Sequence, residues 1–137
     1  MILALDVGAK RIGLAIASPI ARLPAPHGVI EREKVADAAT EVGRIAQELG
    51  AQTVVVGLPR GLEGQETAQT TATREFATAL SVKLDIPVIM QDEALTSVEA
   101  ENRLKIRGKP YNKGDIDAEA AAMILDDYLK NAMEYQA

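Results

Sequence analysis

The sequence predicts an α/β fold, a mixed β-sheet flanked by helices. Two apolar strand patterns follow each other at the start of the chain, and helical and strand patterns alternate after them. Of the 137 residues, 47% are hydrophobic, with one Phe and no Trp, so the core is expected to be aliphatic. This length and composition predict a single domain that covers residues 1–137.

The first two strands are expected to form a hairpin. Residues 2–5 are an apolar run, and residues 12–17 are a second one that returns beside it. Gly8 allows a tight turn and the close approach of a phosphate. Asp6 then lies at the mouth of the hairpin, where the backbone leaves the core, and a carboxylate at such a place suits a hard metal ion or a phosphate group.

The middle of the chain alternates between strand and helix patterns, with a glycine-rich loop at residues 57–64. Gly50 has the position of a helix C-cap. The expected elements are, in order, a short strand at 28–31, a helix at 34–49, a buried strand at 53–57 and a helix at 66–84.

The last third is expected to hold a strand and two helices. Residues 86–90 form the strand pattern, which ends at residues 91–93. Thr96 followed by Glu99 has the spacing of a capping box, and the helix that it opens should stop at Gly108. From residue 116 onward, apolar residues keep helical spacing to near the C-terminus.

Composition limits the function classes. The chain has no cysteine, which excludes disulfides and thiolate metal sites. Asp6, Lys10 and Arg11 interrupt the first apolar run, which suits neither a signal peptide nor a membrane span, so the cytoplasm is the expected location and no membrane partner is expected. The net charge of −5 argues against a protein that coats nucleic acid by charge alone.

Positive charge is concentrated in one segment, which we call the basic run. Between residues 101 and 114 there are five cations against one acid: Arg103, Lys105, Arg107, Lys109 and Lys113. Such a run suits electrostatic contact with a nucleic-acid strand. A solvated protein surface is the alternative interpretation.

Acidic residues occur at three places where the core meets solvent. Asp6 ends the first strand, Asp92 and Glu93 follow the last strand, and Asp115 and Asp117 start the final helix. The carboxyl ends of parallel strands meet at one edge of a sheet, so these acids can converge there. Converging carboxylates repel one another unless a cation lies between them, and oxygen-only ligation selects Mg²⁺ or Mn²⁺.

Four segments, in order and spacing, resemble the motifs of the RuvX (YqgF) family. The resemblance implies an RNase H-like fold of the RuvC type. It also implies a nuclease that matures the 5′ end of pre-16S ribosomal RNA or, alternatively, a Holliday junction resolvase. The segments are residues 5–13 (LDVGAKRIG), 56–64 (VGLPRGLEG), 92–96 (DEALT) and 116–121 (IDAEAA).

The resemblance implies roles for individual residues. Asp6, Glu93 and Asp117 would be the catalytic carboxylates that bind Mg²⁺ or Mn²⁺, with Asp92 as a further metal candidate and Asp115 as a helix N-cap. Two positions depart from the family pattern, Ala9 and Ala94. The residues expected to bind substrate are Gly8, Lys10, Arg11, Arg60, Lys105, Arg107, Lys109 and Lys113.

The implied reaction is phosphodiester hydrolysis assisted by two metal ions, with Asp6 bridging both ions. The backbone around Gly8 and Gly57 could help to hold the phosphate. The acidic charge and the single basic run favour an RNA end over a rigid branched DNA, and both a monomer and a homodimer stay open. Two other classes are also open: a non-catalytic RNA-binding assembly factor, and an actin-like nucleotide-binding module, which usually needs a second such domain.

Overall fold

The computed structural model describes residues 1–93 and 96–136, and it contains a mixed five-stranded sheet with the strand order β3-β2-β1-β4-β5. β1 pairs antiparallel with β2, and β2 pairs antiparallel with β3. β1 and β4 are parallel, as are β4 and β5. The strands are β1 (Ile2–Val7), β2 (Arg11–Ala17), β3 (Ala25–Glu31), β4 (Thr53–Pro59) and β5 (Val88–Glu93).

Four α-helices flank the sheet, which confirms the predicted fold class. A 3₁₀ turn, Arg32–Lys34, precedes the first of them. The prediction that this helix begins at residue 34 is wrong, because Val35 is extended and the Asp37 side chain caps the helix by accepting from the Thr40 N–H. The helices are α1 (Ala38–Leu49), α2 (Ala68–Lys83), α3 (Thr96–Arg107) and α4 (Lys113–Gln136).

Several predicted helix ends are confirmed. Gly50 ends α1 in the left-handed conformation, with φ of 63°. Gly108, with φ of 74°, follows the end of α3. Ala94 and the side chain of Thr96, on which the predicted capping box depends, lie outside the described part of the chain.

One face of the sheet packs against α1 and α2. Because side chains alternate along a strand, Leu3 and Leu5 of β1 point to this face. There they join a buried apolar cluster that includes Val42 of α1 and Leu80 of α2. This cluster contains the one phenylalanine of the chain, Phe76, and is otherwise aliphatic, as the composition predicts.

The other face packs against α4, and its strand residues are small. Ala4, Ala15 and Ala17 are buried there against Leu125 and Leu129 of α4. Short side chains let the helix lie close to the sheet. Asp6 has the same parity in β1 as Ala4, so it points to the α4 side near the carboxyl end of the strand.

β5 ends within residues 91–93, as predicted, but it begins at Val88 and not at residue 86. Asp92 and Glu93, which were expected to follow the strand, are part of it and pair with Leu58 and Pro59 of β4. Neighbouring strand residues face opposite sides of a sheet, so these two acids point in opposite directions. None of the helices in the described ranges is both long and apolar enough to cross a lipid bilayer.

Candidate functional site

Asp6 and Asp117 form the centre of the candidate site. Burial and the nearby negative charge of Asp117 raise the pKa of Asp6 to about 6. Burial disfavours the charged form of a carboxyl group, and a second carboxylate disfavours it further. The fold therefore brings two acids together that repel each other and that a cation would stabilise.

Gly13 is the residue that brings them together. It pairs with Asp6 across the β1–β2 hairpin. A Cβ atom at this position would lie 1.9 Å from the backbone oxygen of Asp117, so only glycine leaves room for the first turns of α4 to rest on β2. The close approach of helix and strand places Asp117 on the face that carries Asp6. A glycine inside an apolar strand was the signal in the sequence for this contact.

Arg11 holds Asp117 in place. Its Nε atom donates to Oδ2 of Asp117 over 2.6 Å, and the two side chains are 30% and 19% exposed. Arg11 has the same parity as Gly13 in β2, so it also faces α4. The site thus holds two carboxylates and one guanidinium within the described residues.

Asp115 has a different role from Asp117. Its carboxylate accepts from the Asn112 N–H, and its own N–H donates to the Asn112 side chain, both over 2.9 Å. This reciprocal pair is a capping box in which Asn112 is the N-cap and Asp115 is the third helical residue. The prediction that Asp115 is the N-cap itself is wrong by three residues, but its capping role is confirmed.

Asp92 and Glu93 are separated by the sheet. Arg60 donates to Asp92 from Nε and from Nη2, each over 3.3 Å. Met90, with the same parity as Asp92, packs against the α1 and α2 cluster. Glu93 shares its parity with Gln91, which accepts from Asn131 of α4 over 3.4 Å, so Glu93 is on the face that carries Asp6.

The three acidic places do not form one preassembled cluster. Across the described part of the chain, no group of three or more His, Cys, Asp and Glu side chains is arranged to hold a metal ion. One strand, β4, lies between the strand of Asp6 and that of Glu93. The Asp6 and Asp117 pair fits a divalent cation by its donor chemistry, because hard cations take carboxylate oxygens.

Arg60 lies away from the candidate site, with Asp92. Its Nη1 atom is also 3.6 Å from the carboxylate of Glu66. Gly57, in the same motif, is buried inside β4, where an added Cβ would lie 2.3 Å from Ile124 of α4. Its absence of a side chain makes room for α4 and does not expose an amide to a phosphate.

The β1–β2 turn carries the next group of expected substrate residues. Lys10 is exposed there. The Gly8 N–H donates to the Arg11 carbonyl over 2.9 Å, so this amide has no hydrogen left for a phosphate. Arg32 donates from Nη1 to the Gly8 carbonyl over 2.8 Å and braces the turn. No sequence signal points to Arg32, which is 24 residues from Gly8 and belongs to none of the four motifs.

The basic run divides into two groups. Arg107 donates to both oxygens of Glu119 on α4, over 3.0 and 3.2 Å, and Arg103 lies 3.7 Å from the same carboxylate. Glu119 is 2% exposed, a degree of burial that its charged side chain does not predict. The remaining cations are exposed and form no ion pair among the described side chains: Lys105, Lys109 and Lys113.

Two relatives of this chain carry the same name. A protein of Chloroflexus aurantiacus is 46% identical over 131 residues, which cover 94% of this chain and 86% of the relative, and is named "Putative pre-16S rRNA nuclease". A protein of Maridesulfovibrio salexigens with the same name is 35% identical over 96% of this chain and 98% of the relative.

Solved structures with a similar fold are junction resolvases. Thermus thermophilus RuvC, in complex with a Holliday junction substrate, matches with a TM-score of 0.61 at 17% identity over 97% of this chain and 95% of that one. The fowlpox virus resolvase, in complex with Holliday junction DNA, matches with a TM-score of 0.56 at 15% identity over 96% and 98%. These likenesses support the RNase H-like fold predicted from the motifs.

A family model also matches nearly the whole chain. The model described as "RuvX: Holliday junction resolvase" matches residues 1–131. This range contains all four motifs, together with Gly13 and Arg11, which shape the candidate site. The chain therefore belongs to the RuvX family.

Proposed function

We propose that the chain is a divalent-metal-dependent nuclease that hydrolyses phosphodiester bonds, and that its substrate is the 5′ end of the 16S ribosomal RNA precursor. The observation that carries this proposal is the Asp6 and Asp117 pair, whose negative charge one guanidinium does not balance. The names of the relatives support the substrate class.

Asp6 and Asp117 would hold the cation, Mg²⁺ or Mn²⁺, with Glu93 contributing from the same face of the sheet. A bound cation of this kind supplies an activated water molecule and stabilises the negative charge that develops on the phosphate. Asp92 faces Arg60 on the other side of the sheet and has no part in this proposal.

The substrate strand would be held by charge. Arg11 is bonded to Asp117 of the carboxylate pair, and Lys10 is the exposed residue before it in the hairpin turn. The exposed Lys105, Lys109 and Lys113 would contact phosphates farther along the strand and would not read bases. Arg103 and Arg107 are occupied by Glu119, so they would contribute less.

A resolvase acting on four-way DNA junctions is the second candidate, favoured by the family description and by the folds of RuvC and the fowlpox enzyme. We favour RNA as the substrate because the net charge is −5 and three exposed lysines provide only a few electrostatic contacts for a rigid four-armed DNA. Paired cuts in a junction would also need a twofold homodimer, whereas a monomer suffices for an RNA end. An enzyme that acts on ribosomal RNA would work in the cytoplasm.

The test is a side-by-side cleavage assay on a 16S precursor fragment and a four-way DNA junction, with Mg²⁺, with Mn²⁺ and with EDTA. We expect metal-dependent cleavage at the 5′ side of the RNA. Asp126→Asn is the matched control, since this acid lies on the same helix and pairs with Lys130. Symmetric junction nicking with an uncut RNA precursor would replace the first proposal with the second.

The two acids of β5 provide a second test of the proposed function. Glu93→Gln should lower the cleavage rate, and Asp92→Asn should leave it close to the wild-type rate, because the two side chains face opposite sides of the sheet. Equal losses in both variants would mean that the division of roles between the two faces is wrong.

A further inference from the structure

Arg11 occupies the carboxylate that the proposed cation needs. Its Nε atom is 2.6 Å from Oδ2 of Asp117, a charge-assisted hydrogen bond of good geometry. The terminal nitrogens Nη1 and Nη2 make no hydrogen bond with any described residue. Arg11 therefore neutralises part of the negative charge of Asp117, while most of the N–H donors of Arg11 stay available.

A guanidinium and a divalent cation compete for such a carboxylate. Both are positive, and on one carboxylate they would lie within a few ångströms of each other, where like charges repel strongly. The Arg11 side chain is 30% exposed, so it can leave the pair and be solvated. Asp6 has no such partner among the described side chains, so the competition concerns Asp117 alone.

We propose that Arg11 is the resident counter-ion of Asp117 and that a divalent cation displaces it, which turns Arg11 toward the substrate phosphate. This inference rests on the metal site of the proposed function. It assigns Arg11 two successive partners. In the metal-free protein it positions Asp117, and after displacement its planar donors are free for a phosphate oxygen next to the site.

Lys10 offers a matched control for this proposal. It precedes Arg11, has the same charge and is exposed, and it forms no ion pair in the described part of the protein. Replacing either residue with Gln removes one positive charge from the same turn. A difference between the two variants therefore reports the contact of Arg11 with Asp117, and not the loss of one positive charge from the turn.

The first measurement is the Kd of Mn²⁺, by isothermal titration calorimetry, for the full chain without nucleic acid. Arg11→Gln should bind Mn²⁺ about three- to fivefold more tightly than wild type, the range expected for removing a partly exposed ion pair. Lys10→Gln should change the Kd by less than half of that factor. An Arg11→Gln variant with an unchanged or weaker affinity would overturn the proposal.

A double-mutant cycle separates the contact from a change in folding. In an Asp117→Asn background Mn²⁺ is expected to bind more weakly, through the remaining acids Asp6 and Glu93, and its Kd is measured at higher Mn²⁺ concentrations. There, Arg11→Gln should no longer tighten Mn²⁺ binding more than Lys10→Gln does. Arg11→Lys keeps the charge without the planar donors and should fall between wild type and Arg11→Gln. A tightening that persists in the Asp117→Asn background contradicts the exchange.

The phosphate step is tested with a single-stranded RNA oligonucleotide, by fluorescence anisotropy in a Glu93→Gln background that limits cleavage. Arg11→Gln should weaken RNA binding when Mn²⁺ is present and leave it unchanged when Mn²⁺ is absent. An equal loss in both conditions refutes the displacement. If wild type and Arg11→Gln both bind no Mn²⁺, the metal site of the proposed function fails, whereas normal Mn²⁺ binding unaffected by Arg11→Gln refutes the exchange alone.

Discussion

Asp117 and Glu119 are two residues apart on α4, and each is bonded to an arginine from another element, but their charge balance is opposite. Glu119 is 2% exposed and shares its single negative charge with Arg107 and Arg103. Asp117 is paired with Arg11, and the carboxylate of Asp6 is close enough to interact with Asp117, so two carboxylates face one guanidinium.

We interpret this difference as one between a structural acid, Glu119, and the acid that we propose to be functional, Asp117. The cations around Glu119 exceed its charge, which fixes α3 against α4 and leaves nothing for a ligand to neutralise. The excess at Asp6 and Asp117 is negative, and the fold maintains it next to the turn of the β1–β2 hairpin. Clusters of perturbed acids of this kind are typical of catalytic sites.

The largest effect, on cleavage activity, is expected from removing the excess negative charge of the Asp6 and Asp117 pair. Asp6→Asn fills the same space without the charge, and we predict a loss of cleavage activity of about a thousandfold, or ~4 kcal/mol in activation free energy. The measurement is the single-turnover rate on the RNA precursor. Asp126→Asn serves as control, and an Asp6→Asn variant that keeps more than about a tenth of the activity would disprove the role of Asp6.

The next largest effect, on stability, is expected when the two arginines that pair with Glu119 are replaced. Arg103→Ala combined with Arg107→Ala leaves a buried carboxylate without a partner and should lower the free energy of unfolding by about 3–4 kcal/mol. Urea denaturation measures this change. Adding Glu119→Gln to the double variant should restore part of the loss, and a double variant as stable as wild type would show that the cluster does not hold α3 and α4 together.

A third effect concerns the pH dependence of stability in the metal-free protein. The pKa of Asp6 is raised from 3.8 to about 6, so between these pH values the folded state keeps a proton that the unfolded state has lost. The contribution of Asp6 is therefore fully favourable below about pH 4 and is lost as the pH rises through 6. At pH 7.5, Asp6→Asn should be more stable than wild type by up to about 3 kcal/mol.

The comparison is made by urea denaturation with EDTA at pH 4 and at pH 7.5. Asp126→Asn removes a half-buried acid of α4 that is paired with Lys130 and should show no such gain at either pH. A stability difference between wild type and Asp6→Asn that is the same at both pH values would argue that Asp6 is not held in a repulsive environment.

The smallest effect per residue is expected in the basic run. Replacing Lys105, Lys109 and Lys113 with Gln should weaken RNA binding and flatten its salt dependence by about 0.7 in log-log slope for each phosphate contact removed. The pair Arg103 and Arg107, engaged with Glu119, contributes less to this slope. Anisotropy titrations at several salt concentrations provide the values, and an unaltered slope in the triple lysine variant would mean that these lysines only solvate the surface.

Much of the fold could be predicted from the sequence, because its signals are local. The strand of residues 2–5, the hairpin and the Gly50 cap each depend on neighbouring residues. The start of α1 was misplaced because Lys34 and Val35 continue a helical pattern that the Asp37 cap overrides. Helical periodicity alone does not fix the first residue of a helix, which here is set by the Asp37 cap.

The site was less predictable, because its contacts join distant segments. The motifs pointed to Asp6 and Asp117, but the ion pair of Arg11 with Asp117 spans 106 positions of sequence. Arg107 was assigned to substrate from its charge alone, and only the packing of α3 on α4 places it on Glu119. The sequence shows that a side chain is charged, but it does not show which side chain or ligand that charge will pair with.

The central claim is that the Asp6 and Asp117 pair, and not Glu119, requires a divalent cation. The most direct measurement is the shift in melting temperature caused by Mn²⁺ at pH 7.5 in wild type, Asp6→Asn and Glu119→Gln. Wild type and Glu119→Gln should show the same upward shift at each Mn²⁺ concentration, and Asp6→Asn should show none. A shift that persists in Asp6→Asn, or one that Glu119→Gln abolishes, would contradict the account.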